Sequence, residues 1–514
     1  MTSVTLEQQF QRFGPAYRWL VAFAGMIGAM TMVLSATMVN VAVPSIMGAY
    51  GVGQDMAQWA ATAFIATMVA SQLLNSWMVA AFGQRLAYTL TLILFTVGAV
   101  VCAVSLSIEM LIVGRIMQGF SAGIIQPLVM ATIISVFPPE RRGFAMGLYG
   151  MGVTLSPSLG PMVGGMTIDA MTWRHIFLVP LPLVAIAFAM GVVFMPSKKF
   201  SRRLPAFDWT GYVLLGTGLV CLMTGIGNGN RWGWGSDGIL GLFTIGFIAA
   251  TAFVYWQAHA KAPLLDLIFF LNPRFAAAMV IAFAFGAGNF ATNYAIPVFA
   301  QTIQGFTPTK AGMVLMPAGV LLMMMIPFSG KLADRVPPHF PIMTGVAMFA
   351  FAAYLMSGAD VNTPFVMVAV FAVVSRLGLG LVMPNMGAAA MRGIPPDRLN
   401  KAAGAYNFTR QLGGAVGTNC VVVVMEYRTA FHADSLAATQ TSANSLTRDM
   451  IGKVDQLLSE SGLPEAARQA GAFDYLSSVI HAQAQTFGYQ DAFLVICLVF
   501  VATLIPAYML KRTK

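Results

Sequence analysis

Long apolar stretches alternate with short polar connections along most of the chain. A helix needs about 20 mostly apolar residues to cross the hydrocarbon core of a bilayer, and these stretches approach that length. The pattern therefore predicts an all-α integral membrane protein with fourteen transmembrane helices, near residues 19–43, 57–78, 86–107, 110–134, 144–166, 175–195, 208–228, 239–258, 275–298, 311–329, 340–357, 365–390, 403–425 and 487–510.

Composition excludes several other classes of protein. Of the 514 residues, 58% are hydrophobic and 9% are charged, whereas soluble domains carry about 25% charged residues. The four cysteines lie inside apolar runs without metal-ligand spacing, and the sequence has no Walker loop or Ser/His/Asp set. We therefore predict a membrane protein that is not an enzyme and holds no metal or other cofactor.

The placement of basic residues predicts the orientation in the membrane. With a cytoplasmic N-terminus, nineteen of the 29 Lys and Arg residues fall on the cytoplasmic side, seven on the opposite side and three inside spans. Since cytoplasmic loops carry the excess of Lys and Arg, both termini are predicted to be cytoplasmic. The net charge of +10 then requires no nucleic-acid partner.

The chain contains two related halves. Arg115 and Arg376 are 261 residues apart, and the Pro-Pro loops that follow them begin at Pro138 and Pro395, 257 residues apart. Transporters are often built from such repeats. This offset predicts four segments, namely a cytoplasmic lead (1–18), a first six-helix bundle (19–196), a linker with helices 7 and 8 (197–274) and a second six-helix bundle (275–514).

Polar side chains inside the predicted spans indicate a pathway through the protein. An arginine at the bilayer centre costs roughly 2.5 to 3.5 kcal/mol on insertion scales, so it should face a protein interior or a wet cavity. Buried amides are also costly without partners. The candidates for a substrate or proton pathway are Asn40, Arg115, Gln118, Asn293, Arg376, Asn385, Asn407 and Arg410. The alternative is that these groups only bridge or pack helices.

Two motifs suggest conformational change. The fifth predicted helix is rich in glycine and proline, which give a kinked surface that a neighbouring helix can approach closely. In a second motif, GKLADR (330–335), an acid at a helix end can pair with a charge or cap a helix across an interface. The alternatives are ordinary small-residue packing and a solvated turn. The candidate residues of the two motifs are Gly160, Pro161, Gly164, Gly165, Gly330, Asp334 and Arg335.

Five segments resemble motifs of the major facilitator superfamily, and more narrowly of its fourteen-helix drug:proton antiporter branch, the EmrB-like multidrug exporters. They are VLSATMVNVAVPSI (33–46), GRIMQGFSAG (114–123), TLSPSLGPMVGG (154–165), GKLADR (330–335) and NFTRQLGGAVGT (407–418). The resemblance implies two pseudo-symmetric six-helix bundles with two extra central helices, in a bacterial inner membrane. It also implies efflux of hydrophobic or amphipathic small molecules, drugs included, driven by the proton gradient.

The chain departs from the family pattern at two positions. Ser35 stands where members commonly carry an aspartate in helix 1, and Ala80 stands where an acidic residue is usual. The helix 1 acid is often implicated in proton coupling or in binding cationic drugs, so Ser35 joins the candidate pathway residues. Because the sequence places no carboxylate in the middle of a span beside the three intramembrane arginines, one hypothesis is an electropositive cavity for anionic or neutral amphipathic compounds.

The segment 426–486 is predicted to be a periplasmic loop with short amphipathic helices near 454–463 and 473–480. EmrB-like permeases work with a periplasmic membrane-fusion protein and an outer-membrane channel, so the resemblance implies such partners and this loop as their dock. The alternative function is a non-transporting membrane receptor or a scaffold of an envelope assembly, which needs no paired intramembrane arginines.

Overall fold

The computed structural model describes residues 6–197, 207–260, 263–391, 394, 399–441 and 443–511, and these residues are almost entirely helical. The first helices are α1 (Leu6–Phe13), α2 (Tyr17–Tyr50), α3 (Gln54–Ala57), α4 (Trp59–Gln72), α5 (Asn75–Ala103), α6 (Ile108–Val136), α7 (Pro139–Ala170), α8 (Leu181–Phe194) and α9 (Trp209–Trp232). The remaining helices are α10 (Asp237–His259), α11 (Pro273–Thr302), α12 (Pro308–Met313), α13 (Met316–Arg335), α14 (His339–Met356), α15 (Phe365–Met391), α16 (Leu399–Ala438), α17 (Ser445–Glu460) and α18 (Glu465–Met509). Short 3-10 helices lie at Gly14–Ala16, Trp173–Phe177 and Leu267–Leu271.

A helix lies at each of the fourteen predicted spans. Within the described residues, eleven helical segments are both long and apolar enough to cross a membrane. The other three predicted spans correspond to α4, which has only 14 residues, and to the glycine-rich helices α7 and α16. The all-α membrane fold is confirmed, and the number fourteen stays a prediction.

Of two local predictions, one is confirmed in part and one is wrong. The segment NSWMVAAFGQR (75–85) matches FSGKLADRVPP (328–338), which predicts a turn after the second span. The segment is helical as far as Gly83, where a φ of 77° and a ψ of 166° interrupt the helix, and glycine adopts such a φ at little steric cost. The segment 473–480, predicted as a separate short helix, lies inside α18 without a break. The stretch 426–486 is thus formed by the end of α16, the separate helix α17 and the start of α18.

The same packing pattern occurs twice along the chain. In the first half α2 packs against α7, α4 against α6, and α5 against α6. In the second half α11 packs against α16, α13 against α15, and α14 against α15. These pairs correspond under the sequence offset between Arg115 and Arg376, so the repeat in the sequence is also a repeat of contacts. The bounds of the four predicted segments stay a prediction.

The two halves meet along three lines of contact. The helix α7 contacts α12 and α13, α4 contacts α16, and α2 contacts α11. The helices α9 and α10 form a pair, and α9 packs on α4 and α16. The Asp208 carboxylate holds this pair together, because it accepts hydrogen bonds from the backbone N–H of Gly211 in α9 and from the side chains of Trp256 and Gln257 in α10.

Candidate functional site

A cavity of about 100 Å³ lies between the two halves. Four helices of each half line it: α2, α4, α6 and α7 on one side, and α11, α13, α15 and α16 on the other. We call it the central cavity. Its lining residues are Val33, Ala36, Thr37, Met68, Gln126, Val153, Pro157, Phe285, Asn289, Phe290, Asn293, Leu322, Arg376, Leu379, Met383, Arg410 and Gln411. A mostly apolar lining with a few polar groups is typical of sites for small organic molecules.

Two amides of α11 hold Arg376 in place. The Arg376 guanidinium donates from Nη1 to Oδ1 of Asn289, and from Nη2 to Oδ1 of Asn293 at 2.8 Å. Asn289 and Asn293 are four residues apart and therefore share one face of α11. Only 2% of the Arg376 surface is exposed. The contacts fix the direction of a buried cation and join α11 to α15.

Arg410 is held much less firmly. Its Nη2 atom donates to Oδ1 of Asn407 at 3.4 Å, one helical turn earlier on α16. Its Nε atom is buried and has no hydrogen-bond partner among the residues that the structure describes. A buried charged donor without a partner is costly. Arg410 thus presents unused donor capacity at the wall of the central cavity.

Arg115 lies outside the central cavity lining, in the interior of the first half. Its Nε atom donates to the backbone carbonyl of Ala60 at 2.6 Å, and Nη1 donates to Oε1 of Gln118 at 2.8 Å. The guanidinium also lies over the Phe64 ring, 4.3 Å from the centroid. Nη1 further contacts the backbone carbonyl of Ser35 at 3.4 Å. Arg115 therefore ties α2, α4 and α6 together.

The other predicted pathway residues bridge helices around the cavity. Asn40 donates to the backbone carbonyl of Asn293 at 3.1 Å, which links the two halves through α2 and α11. Asn385 donates to Oγ of Ser329 at 3.0 Å and so links α15 to α13. The hydroxyl of Ser35 is buried, and no described residue forms a hydrogen bond with it. Of the nine predicted pathway residues, the structure brings Asn293, Arg376 and Arg410 together at the cavity wall.

The glycine-rich end of α7 is an interface on two sides. A Cβ atom on Gly160 or Gly164 would overlap α2, and one on Gly165 would overlap the backbone of Pro308. From the opposite side, a Cβ on Gly312 in α12 would overlap the backbone carbonyl of Pro161. The two halves therefore touch backbone to backbone here, which only residues without a side chain permit.

The last turn of α7 also carries an acid across this interface. Oδ2 of Asp169 accepts a hydrogen bond from the backbone N–H of Thr309 at 3.1 Å. In the second motif, a Cβ on Gly330 would meet open space. The side chains of Asp334 and Arg335 lie outside the described residues.

Four polar residues of the cavity wall were not among the predicted pathway residues. They are Thr37, Gln126, Asn289 and Gln411. Helical spacing contains a signal for two of them, since Asn289 precedes Asn293 by four residues and Gln126 is on the face of Arg115 and Gln118. Gln411 follows Arg410 directly, so spacing on one helix face could not select it.

This fold defines a class of protein, namely transporters with two helical bundles and a cavity between them. The sequence matches the Major Facilitator Superfamily over residues 25–418, and the chain belongs to that family. The predicted membership of an EmrB-like branch is confirmed. The family and the fold mark a transport protein, with many membrane-spanning helices, and not an enzyme.

Relatives of this chain in bacteria include proteins named for export or for drug resistance. The chain is 27% identical over 402 residues to the lincomycin resistance protein LmrB of Listeria monocytogenes, and this match covers 78% of this chain and 84% of that protein. It is 25% identical over 497 residues to the multidrug export protein EmrB of Haemophilus influenzae, and this match covers 96% of this chain and 95% of that protein. A crystal structure of a POT family transporter in complex with a thioalcohol-conjugated peptide has the same fold, with a TM-score of 0.66 at 12% identity over 99% of both chains.

Proposed function

We propose that the protein exports hydrophobic or amphipathic small molecules from the cytoplasm by alternating access between its two halves. The central cavity carries this proposal, because both halves line it and its wall combines apolar side chains with a few polar groups. Similarity to proteins named for multidrug export and lincomycin resistance supports the same substrate class. The proposed location is the inner membrane of a bacterium, with both termini in the cytoplasm.

In this proposal the contact between α7 and α12 is the outer gate. With cytoplasmic termini, the C-terminal end of α7 and the start of α12 lie at the outer side of the membrane. The close backbone contact of Gly165 with Pro308 then closes the cavity to the outside. Export requires this contact to break and re-form in each cycle.

We further propose that the proton gradient supplies the energy. With Ser35 at the position of the usual helix 1 aspartate, coupling needs another titratable group. Asp169 is the best-placed candidate, since its carboxylate joins the two halves at the outer gate through Thr309. Protonation would replace a charge-assisted hydrogen bond by a weaker neutral one and so favour opening.

The proposed partners are a periplasmic membrane-fusion protein and an outer-membrane channel. The extended ends of α16 and α18, together with α17, form the surface on which such a partner would dock. Leu446 and Leu457 of α17 are 78% and 65% exposed, which leaves apolar contact area for it. Affinity purification of the full chain from its native membrane, with and without residues 445–460, would test the docking surface.

Transport in everted membrane vesicles tests the export function. A chemically diverse panel of fluorescent amphipathic compounds is supplied with and without an imposed pH gradient. We expect uptake into the vesicles only when the protein is present, and faster uptake when the lumen is acidic. If no compound of any charge is taken up, the receptor or scaffold alternative gains support. If the rate of uptake does not depend on the pH gradient, proton coupling is refuted and export stands.

A further inference from the structure

We propose, on the basis of the export function above, that the central cavity selects amphipathic organic anions, and that Arg410 binds their carboxylate. The cavity wall contains two guanidinium groups, of Arg376 and Arg410, and none of the lining residues that the structure describes is acidic. A cation in a poorly hydrated site favours a ligand that supplies the missing negative charge.

Charges elsewhere on the lining helices do not neutralise this wall. The sequences of α2, α4, α11 and α15 contain no Asp or Glu. In α16 the acid nearest to Arg410 along the helix is Glu426, sixteen residues later, which corresponds to about 24 Å of helix. In α6, α7 and α13 the acids lie in the first or last turn of the helix, and they are Glu109, Glu140, Asp169 and Asp334. The positive charge of the cavity therefore remains uncompensated by its own helices.

The two arginines have different roles. The Arg376 guanidinium donates hydrogen bonds to Asn289 and Asn293. These bonds orient the guanidinium, so Arg376 acts as a fixed positive charge. Within the described part of the chain, Arg410 has one long hydrogen bond, to Asn407, and a buried Nε atom without a partner. A carboxylate can accept two parallel hydrogen bonds from one guanidinium, from Nε and one Nη. Arg410 is therefore the group that is ready to bind, and Arg376 strengthens the field around it.

The remaining wall suits an apolar body attached to that carboxylate. The side chains of Val33 and Met68 face the cavity from the first half, and those of Phe285, Phe290 and Leu379 face it from the second. Met adapts to irregular shapes, and the aromatic rings offer large apolar contact areas. A lipophilic carboxylate would bury its body between the halves and bring its charge to α16.

Binding to three compounds with one apolar body tests the charge preference. The full-length protein in nanodiscs is titrated with pyrenebutyrate, pyrenebutyramide and pyrenebutyltrimethylammonium at neutral pH in a buffer without chloride. We expect the carboxylate to bind at least about tenfold more tightly than the amide, and the ammonium to bind most weakly. Tighter binding of the ammonium than of the carboxylate would overturn the proposal.

Variants then test which residue causes the preference for the carboxylate over the amide. Arg410→Gln should remove the advantage of pyrenebutyrate over its amide, at least about tenfold, while the amide itself keeps its affinity. Arg410→Lys retains the charge but lacks the paired donors, so it should retain part of the advantage and also controls for folding. Arg448→Gln removes an exposed arginine of α17 and should change nothing. A carboxylate advantage that survives in full in Arg410→Gln would refute the site.

The same compounds separate this inference from the export function. Gradient-dependent uptake of the ammonium or the amide, without uptake of the carboxylate, would leave export standing and refute the anion site. Tight, Arg410-dependent binding of pyrenebutyrate without any transport would support the anion site and refute export.

Discussion

The carboxylate of Asp169, in the last turn of α7, accepts a hydrogen bond from the backbone N–H of Thr309 at the start of α12, at 3.1 Å. This bond joins the first half of the chain to the second. It lies beside the place where the backbones around Gly165 and Pro308 touch. An acid at such a junction can connect protonation to the separation of the halves.

The variant Asp169→Asn should weaken the contact between α7 and α12. A hydrogen bond to a charged acceptor is worth about 1 kcal/mol more than a neutral one, so the open population should increase about fivefold. Spin labels at Met171 and Met313, both exposed beside this contact, would report the change as longer distances in a background without cysteine. Asp449→Asn on the exposed face of α17 is the control. Unchanged distances in Asp169→Asn would argue against a latch.

Gly165→Ala should impair the cycle through steric overlap. Its Cβ would meet the backbone of Pro308, which cannot rotate away as a side chain would. We expect the closed contact to be lost and vesicle transport to fall by about tenfold or more, equivalent to about 1.4 kcal/mol or more. Gly241→Ala in α10 is the matched control, because a Cβ there would meet open space. Normal transport by Gly165→Ala would contradict the proposed gate.

Arg115→Ala should destabilise the first half. The substitution removes a guanidinium that bonds to Ala60 and Gln118 and covers Phe64, and it leaves a void and unpaired polar groups. Breaking such a buried arrangement should lower the free energy of unfolding by about 3 kcal/mol. Thermal unfolding in detergent would show a lower Tm than for Arg448→Ala. A variant with unchanged Tm that still transports would mean that Arg115 has neither role, and unchanged Tm with lost transport would favour a direct role in the pathway.

Asp208→Ala should loosen the pair α9 and α10 while leaving the cavity wall intact. The change removes the N-terminal cap of α9 and the acceptor for Trp256 and Gln257. We expect a loss of about 2 kcal/mol of stability, visible as a lower Tm, and retained binding of amphipathic ligands. Asp237→Ala, in the exposed first turn of α10, is the comparison. Loss of ligand binding in Asp208→Ala at a temperature well below its Tm would show that the pair shapes the cavity.

Hydropathy and spacing predicted most of the architecture. A bilayer leaves few structures open to a long apolar segment, so the helices follow from local sequence. The prediction at 473–480 was wrong, and the turn predicted at 75–85 is confined to Gly83, because the ends of these helices depend on local backbone geometry and tertiary packing. The non-helical φ and ψ of Gly83 interrupt α5, and residues beyond a predicted span continue as helix in α16 and α18.

The candidate site was less accessible to sequence reasoning. Three intramembrane arginines have equivalent patterns in the sequence, yet Arg376 and Arg410 line the central cavity and Arg115 lies inside one half. Which side of a helix faces a cavity depends on how helices from distant parts of the chain pack, and spacing on one helix does not reveal its neighbours.

The sequence by itself determined the fold class, the internal duplication and the family resemblance. The apolar pattern, the repeat and the placement of basic residues were sufficient for these, because each of them reflects the fit of a short segment to the bilayer or to a motif. The pairing of Arg376 with two asparagines, the unpaired Nε of Arg410 and the meeting of Asp169 with Thr309 required the folded chain. These contacts join residues far apart in sequence, and the geometry of packed helices alone sets their distances.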